Sequence, residues 1–503
     1  MSANEAPSKS LGTLEVVGYP ELEPGTRISA DVAVIGSGAG GAVVAEYLAA
    51  AGASVAVMEE GRYYTEQTYG DDAAQRLANL WRSGPETVAV GSTPIYIPAG
   101  RAVGGSTVIN SGSCFRTPER VLLSWKELGL DGLAPESMEP IFEEVERKLS
   151  VRPVPDEIMG RNGELVRRGA EALGLSGGPI PRNIDGCQGS GICVLGCPTG
   201  AKQAMHRSYL PAAQSHGARI YERLRADRFV VSDGRVSSVA CTVLDRSMRP
   251  VGEAVVEAKE IVVAAGPFHT PKLLATLDPP AEGAAHLGKH LQIHPCAGVL
   301  AAFDDDVEGF PNTVQSYFID EFATSHGIML EATSLVPGLN PGRNTKDKAF
   351  LGVFCFDRGE GEVLLEDGKP PRPRYELLSA DLQALAFGVY QGCRIFLAAG
   401  ARWVRTGHPG LPKVFSEDQA EKLLKLEWEP SYFVPTAYHP CSTARMGIDP
   451  EVSVTSPQGR VWGYENLVVA DASVLPSCPQ VNPQITVMAI ARKIAESMAS
   501  SPV

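Results

Sequence analysis

The chain has 503 residues, with 45 Lys and Arg against 59 Asp and Glu, a net charge of −14. A field of that sign repels nucleic-acid phosphates and anionic lipid surfaces, so neither is expected as a partner. With 44% hydrophobic and 21% charged residues the chain is neither disordered nor fibrous, and at roughly 150 residues per domain it has room for two or three domains.

The most apolar stretch, Leu385 to Val404, is broken by Gln391 and Arg394, so no membrane span is expected. The first 25 residues lack a basic start followed by an apolar segment, and a cytoplasmic location is expected. Ten cysteines are too few for a disulfide scaffold. Gly (52) and Pro (38) are abundant without a repeat, which points to long, shaped loops.

Asp31 to Ile35 (DVAVI) reads as a buried strand, Gly41 to Ala51 as a helix and Ser54 to Met58 (SVAVM) as a second strand, a β-α-β unit. Between the first strand and the helix, G-x-G-x-x-G falls on Gly36, Gly38 and Gly41. The first glycine allows the turn, the second lets backbone amides approach a pyrophosphate, and the third lets helix pack on strand. The helix N-terminus adds partial positive charge for the phosphates. Glu59 follows the second strand, about 20 residues on, where an acid holds ribose hydroxyls and disfavours a 2′-phosphate. The motif implies a dinucleotide other than NADP and leaves NAD and FAD open.

Further along, Cys187, Cys193 and Cys197 crowd into the Gly-rich loop GCQGSGICVLGCPTGAK, within residues 183–202. The glycines let such a loop wrap three thiols round one centre. Cysteine-x3-cysteine-proline also recurs in iron-sulfur ligand runs. Other readings are a zinc site completed by His206, one disulfide with a spare thiol, or buried cysteines.

Glu260 to Ala264 (EIVVA) and Asn466 to Ala470 (NLVVA) read as more buried strands, so the nucleotide sheet is expected to gather distant segments. Between them, Asn312 to Leu365 and Arg372 to Leu378 alternate in the manner of an antiparallel sheet, an inserted second domain. Alternation alone makes Glu331, Phe354 and Phe356 candidates for its pocket lining. A closing helix is expected from Pro483 to Met498, with Asn482 as N-cap and Pro483 at the first helical position. Its positive end would favour negative charge beside it. Surface or packing roles are expected for His216, His286, His326 and His408.

Three segments carry a family resemblance. Gly100-Arg101-Ala-Val-Gly104-Gly105-Ser106-Thr107-Val-Ile-Asn110 and Ala264-Ala-Gly266-Pro-Phe-His-Thr270-Pro271 resemble the two signatures of the glucose-methanol-choline (GMC) flavin oxidoreductases. The third runs from His439-Pro440-Cys-Ser-Thr443-Ala-Arg445-Met446-Gly447 through Val461 to Asp471 and on to Asn482-Pro483-Gln484. The resemblance covers the chain from about Asp31 onward, with the motifs in family order.

It implies an α/β fold in which a Rossmann-like FAD-binding domain is interleaved with an antiparallel-sheet substrate domain. The segments would be 26–300 and 438–503 for the first and 301–437 for the second. It also implies FAD as the dinucleotide. Arg101, Gly104, Gly105, Ser106 and Asp471 would lie along the pyrophosphate and ribityl chain, Asn110 near the isoalloxazine, and Pro483 and Gln484 beside it.

Some relatives attach FAD through a histidine where this chain has Ile109, so non-covalent FAD is expected. His439 matches the family's catalytic base and Asn482 its partner, which together would grip an alcohol oxygen while hydride moves to flavin N5. A neutral imidazole suits that proton transfer. His294, in LQIHP, is expected to be structural.

The cysteine spacing resembles the [3Fe-4S] loop of FAD-dependent sugar dehydrogenases and a related loop in long-chain alcohol oxidases, which usually have a further cysteine where this chain has Ser190. The expected activity is oxidation of a primary or secondary alcohol to aldehyde or ketone, with electrons passed to oxygen or, through a cluster, to an external acceptor. Alternatives are a lyase or isomerase with non-redox flavin and a non-catalytic flavin-binding protein.

Overall fold

The computed structural model describes residues 14–309, 311–336, 338–339 and 344–500. The start of the N-terminal leader, residues 1–13, lies outside them, as do residues 337 and 340–343 of the expected antiparallel region.

The first strand, Arg27–Ile35, is central in a seven-stranded sheet. Its last four residues, Val32 to Ile35, are fully buried, as an apolar run covered on both faces must be. They pair in parallel with Val55 to Met58 on one edge and Glu260 to Val263 on the other. Arg219–Glu222 extends the sheet beyond Val55–Glu59.

The long strand Pro250–Val263 forks along its outer edge. Its first half pairs antiparallel with Arg235–Leu244, which pairs with Leu224–Ser232. Its last residues, Ile261 to Val263, pair in parallel with Leu467 to Val469. The distant strand segments therefore join one sheet, as their apolar patterns predict.

The helix Ala39–Ala50 packs against the closing helix Gln484–Ser500. Its small side chains, Gly40 to Ala45 all buried, let both helices lie close to the sheet.

The second sheet has ten strands. Pro295–Ala302, Lys348–Cys355, Ile328–Thr333 and Gln315–Ile319 form its antiparallel centre. The boundary expected at residue 300 falls inside the first of these strands. Gly177–Pro179, Val88–Ala89 and Ile95–Tyr96, from the segment assigned to the first domain, also join this sheet. Two- and three-residue strands carry too little pattern to be read in sequence.

The helix Ser379–Ala398 lies over the second sheet. Gly388 and Gly392 allow the approach: a Cβ on Gly388 would stand 2.2 Å from Val353 Cγ1. Most of the apolar stretch, residues 385–398, therefore lies in a core helix, and its end enters the strand Trp403–Arg405. Among the described residues no helix is long and apolar enough to cross a membrane.

Candidate active site

One cavity of about 1360 Å3 runs from the glycine loop to the second sheet. At its first end are Gly36, Gly38 and Gly40, and each glycine has a different reason. Gly36 has φ +100°, and a Cβ there would stand 2.2 Å from Ala264 O. At Gly41 it would meet Gly36 O at 2.0 Å, at the packing of helix on strand. Gly38 is the contrast, because a Cβ there would touch only Gly105 Cα, at 4.0 Å. No fold constraint holds Gly38 as glycine, and its open side faces the cavity, which fits a pyrophosphate lying against its backbone. Gly40, which the motif skips, is the tightest: a Cβ would lie 1.7 Å from Ala470 O.

Glu59 lines the cavity, buried, with Oε2 accepting from Ser37 N (3.1 Å) and Ser37 Oγ (2.6 Å) and Oε1 from Gly61 N (2.8 Å). Burial raises its pKa against these donors. With two bonds on Oε2 and one on Oε1, it is Oε1 that keeps a lone pair for a ribose hydroxyl.

Asp471 is also buried on the cavity wall. Its Oδ2 accepts from Gly266 N (2.8 Å) and Thr270 Oγ1 (2.5 Å), and its Oδ1 from Ser473 N (2.7 Å). It ties the second signature segment to the end of the last strand.

Gly105, Ser106, Asn110, Pro483 and Gln484 also line this cavity. Asn110 Nδ2 donates to Gln484 Oε1 at 2.9 Å, and Asn110 Oδ1 is buried with no partner. Arg101 and Gly104 are not on the wall. Arg101 turns toward Glu60, 4.0 Å away, and the Gly104 amide donates to Ser37 Oγ at 2.9 Å, which braces the glycine loop. Arg82, bonded to Glu60 at 2.7 Å, is on the wall instead.

At the other end are His439 and Asn482, both buried and both lining the cavity. His439 Nδ1 lies 2.8 Å from His294 Nδ1. His294 therefore touches the expected catalytic base directly, which its sequence context does not reveal. Its backbone N–H and that of Ile293 donate to Asp357, both at 2.8 Å, which fixes the imidazole in place. With Nδ1 engaged, His439 turns Nε2 free for the cavity. A base at Nε2 requires the proton on Nδ1, donated to His294. Burial pushes the His439 pKa down to about 3 and that of His294 well down, so both rings are neutral near neutral pH.

Asn482 does not cap the closing helix as expected. The helix runs from Gln484, Pro483 O accepts from Val487 N at 2.9 Å, and Asn482 Oδ1 has no partner. Its amide is near enough to the Glu331 carboxyl to hold that group's pKa down against burial. Of the residues picked by alternation, Phe354 lines the cavity, while Glu331 and Phe356 stand behind the wall.

The cysteine loop abuts the cavity through Val194, whose carbonyl accepts from Trp81 Nε1 at 2.8 Å. Each thiol accepts an N–H: Cys187 from Gly189 N (3.5 Å), Cys193 from Arg182 Nη2 (3.2 Å) and Cys197 from Lys202 N (3.4 Å). All ten cysteines are free, so the disulfide reading fails. Among the described residues no three His, Cys, Asp or Glu side chains could hold a metal ion. The zinc reading fails with it, and so does the expected [3Fe-4S] ligand set, because Cys187, Cys193 and Cys197 each turn to a separate N–H donor and do not gather round one centre. His206 Nε2 is instead bonded to Tyr69 Oη at 3.0 Å.

Two family models, both described as GMC oxidoreductase, match residues 77–296 and 357–491. An uncharacterized GMC-type oxidoreductase of Mycobacterium tuberculosis is 40% identical over 483 residues, 93% of this chain and 75% of that protein. The chain belongs to the GMC oxidoreductase family.

Other GMC relatives include a long-chain-alcohol oxidase of Arabidopsis thaliana, 29% identical over 94% of this chain and 68% of its own length. Among solved structures, pyridoxine 4-oxidase superposes with a TM-score of 0.73 at 19% identity, covering 94% of this chain and 100% of that one. A formate oxidase of Aspergillus oryzae gives 0.73 at 16%, covering 94% and 98%. These structures share the GMC fold, an α/β architecture with a Rossmann-type FAD-binding part.

Proposed function

We propose that this GMC oxidoreductase binds FAD non-covalently and oxidises a primary or secondary alcohol to an aldehyde or ketone, with His439 as base. The observation that carries the reading is the placement of His439 and Asn482 on the wall of the same cavity as Gly38, Glu59 and Asp471. The open side of Gly38 and the orphaned Asn110 Oδ1 fit a large polar cofactor. FAD, when bound, supplies the hydride acceptor.

The protein's part is binding, orientation and proton transfer. His439 Nε2 takes the hydroxyl proton, and His294 Nδ1 accepts from His439 Nδ1–H and so steadies the imidazolium that results. Asn482 holds the alcohol oxygen beside His439. Ile109, where some relatives attach FAD through histidine, is an aliphatic residue that cannot form the bond.

Anaerobic mixing with a panel of alcohols tests this: a substrate bleaches the flavin absorbance, while persistence of the oxidised bands with every alcohol sinks it. Because the His439 pKa lies near 3, the base is neutral above about pH 5. The reduction rate is therefore expected to be flat from pH 5 to 7. A fall below pH 6.5 with one proton per molecule contradicts it.

Electrons leave to oxygen or to an external acceptor. No route through a [3Fe-4S] cluster is proposed, because among the described residues Cys187, Cys193 and Cys197 do not come together as a metal-binding group. Peroxide release during alcohol turnover assigns oxygen as the acceptor, and dye reduction without peroxide assigns an external one.

A further inference from the structure

Two glycines shape the cavity where it meets the second sheet. Gly298 and Gly352 stand directly opposite each other on the paired strands Pro295–Ala302 and Lys348–Cys355. A Cβ on Gly298 would lie 2.4 Å from Phe350 Cζ, and one on Gly352 would lie 3.0 Å from Phe354 Cε2. Both rings therefore lie over bare backbone instead of standing up into the cavity, which all four residues line.

This floor starts at the base, since Phe354 stacks on His439 with ring centroids 5.7 Å apart and planes at 21°. Facing residues on paired strands share one side of the sheet. Successive rows leading away from His439 are Phe354 with Cys296, then the two glycines, then Phe350 with Leu300 and Arg405. From Cys296 to Leu300 the floor runs for about 13 Å at the usual rise of a strand. Until Arg405 it is apolar.

Arg405 lines the cavity and is exposed, and the same end opens to solvent at Val434, which is 80% exposed. Among the described residues the Arg405 guanidinium has no hydrogen bond and no carboxylate partner. Lys413 faces it on the next strand, also without a carboxylate. Like charges opposite each other are unfavourable, and an anion held by both removes the cost. Among the described residues no Asp or Glu of the second sheet lines the cavity, so a cationic alcohol finds no counter-charge there.

We propose that the substrate is a slender apolar alcohol with an anionic group, a carboxylate in the simplest case, about 13 Å from its hydroxyl. The hydroxyl lies at His439, the chain lies along the two phenyl rings, and Arg405 binds the anion with Lys413 beside it. This rests on the reading of His439 as the base and names the substrate class for that site. Arg405 and the Gly298–Gly352 pair then determine specificity, the first by charge and the second by the room it leaves.

Anaerobic flavin reduction in the holoenzyme tests this with ω-hydroxydecanoate, decanol and ω-hydroxybutanoate. The KM for ω-hydroxydecanoate is expected to be about tenfold below that for decanol, with the advantage shrinking as salt is added. Arg405→Gln is expected to abolish the advantage, with the loss falling on KM, and Arg405→Lys, which keeps the charge, to retain part of it. Gly298→Ala should lift the Phe350 ring into the slot. It is expected to lower kcat/KM for ω-hydroxydecanoate more than for ω-hydroxybutanoate, which ends short of that ring.

Equal KM values for ω-hydroxydecanoate and decanol in the wild type, or a difference that survives Arg405→Gln, overturn the proposal. Arg405 is exposed and unpaired, so its replacement does not endanger the fold. Calorimetric binding of decanoate needs no turnover and is expected to weaken about tenfold in Arg405→Gln; unchanged affinity also overturns the proposal. Failure of the functional reading looks different: no alcohol would reduce the flavin, while decanoate would still bind through Arg405.

Discussion

Replacing His439 with Ala is expected to slow alcohol-driven flavin reduction by about 10²- to 10⁴-fold, the range that a positioned general base contributes. The loss should fall on kcat and kcat/KM together, because the base acts on the proton that moves as the C–H bond breaks. FAD content should remain at the wild-type level, since the residues around the glycine loop are at the far end of the cavity. His439→Gln is the sharper variant. It restores a hydrogen-bond donor and acceptor of comparable reach but cannot hold a proton near neutral pH, so it should stay as slow as Ala. Stopped-flow reduction under anaerobic conditions reads both. A loss smaller than tenfold in either variant would remove His439 from the role of base.

The second large effect is expected at Gly40, and it concerns folding. A methyl group there would stand 1.7 Å from Ala470 O and 3.1 Å from Asp471 Cα. The contact is backbone to backbone, between the first helix and the end of a strand held in the sheet by Ile261 to Val263. Neither side can yield without moving a core element. Gly40→Ala is expected to cost about 3 kcal/mol, at the upper end of ordinary overpacking. It should displace Asp471, so that the protein is purified without flavin.

Gly38→Ala is the control. It meets no protein atom closer than 4.0 Å, so thermal unfolding of the apoprotein should hardly change while FAD affinity falls. Equal melting temperatures for the two apoproteins would show that the motif's glycines are interchangeable.

The parts of this site that sequence displays are those with a local backbone reason. Gly41 lies within a few residues of the Gly36 carbonyl it touches, Gly36 is marked by the positive φ of its own turn, and the strand, turn and helix around them follow from apolar period and glycine placement. Glu59 belongs with them, since its donors Ser37 and Gly61 are set by the same β-α-β unit.

The hidden parts depend on contacts made across the chain. His294 meets His439 over 145 positions, and Gln315 reaches Glu331 only because adjacent strands bring them together. A lone histidine or glutamate in an alternating strand carries no mark of the neighbour it will acquire. Asn482 shows the limit most clearly. Its place before Pro483 is that of a capping residue by local rules, yet its Oδ1 accepts from no helix N–H.

The forked strand Pro250–Val263 has a consequence for how the protein is made. Its inner edge receives Arg27–Ile35, which leaves the ribosome early, whereas the end of its outer edge waits for Leu467–Val469. Asp471, which binds the second signature segment through Gly266 and Thr270, follows that late strand closely. Synthesis proceeds from the N-terminus at a limited pace, and pairing across such a separation is slow because the loop must close first. The cofactor chamber therefore has no finished wall on a nascent chain. FAD enters a protein that is already full length, and the open edge of the long strand is the surface in need of protection until then.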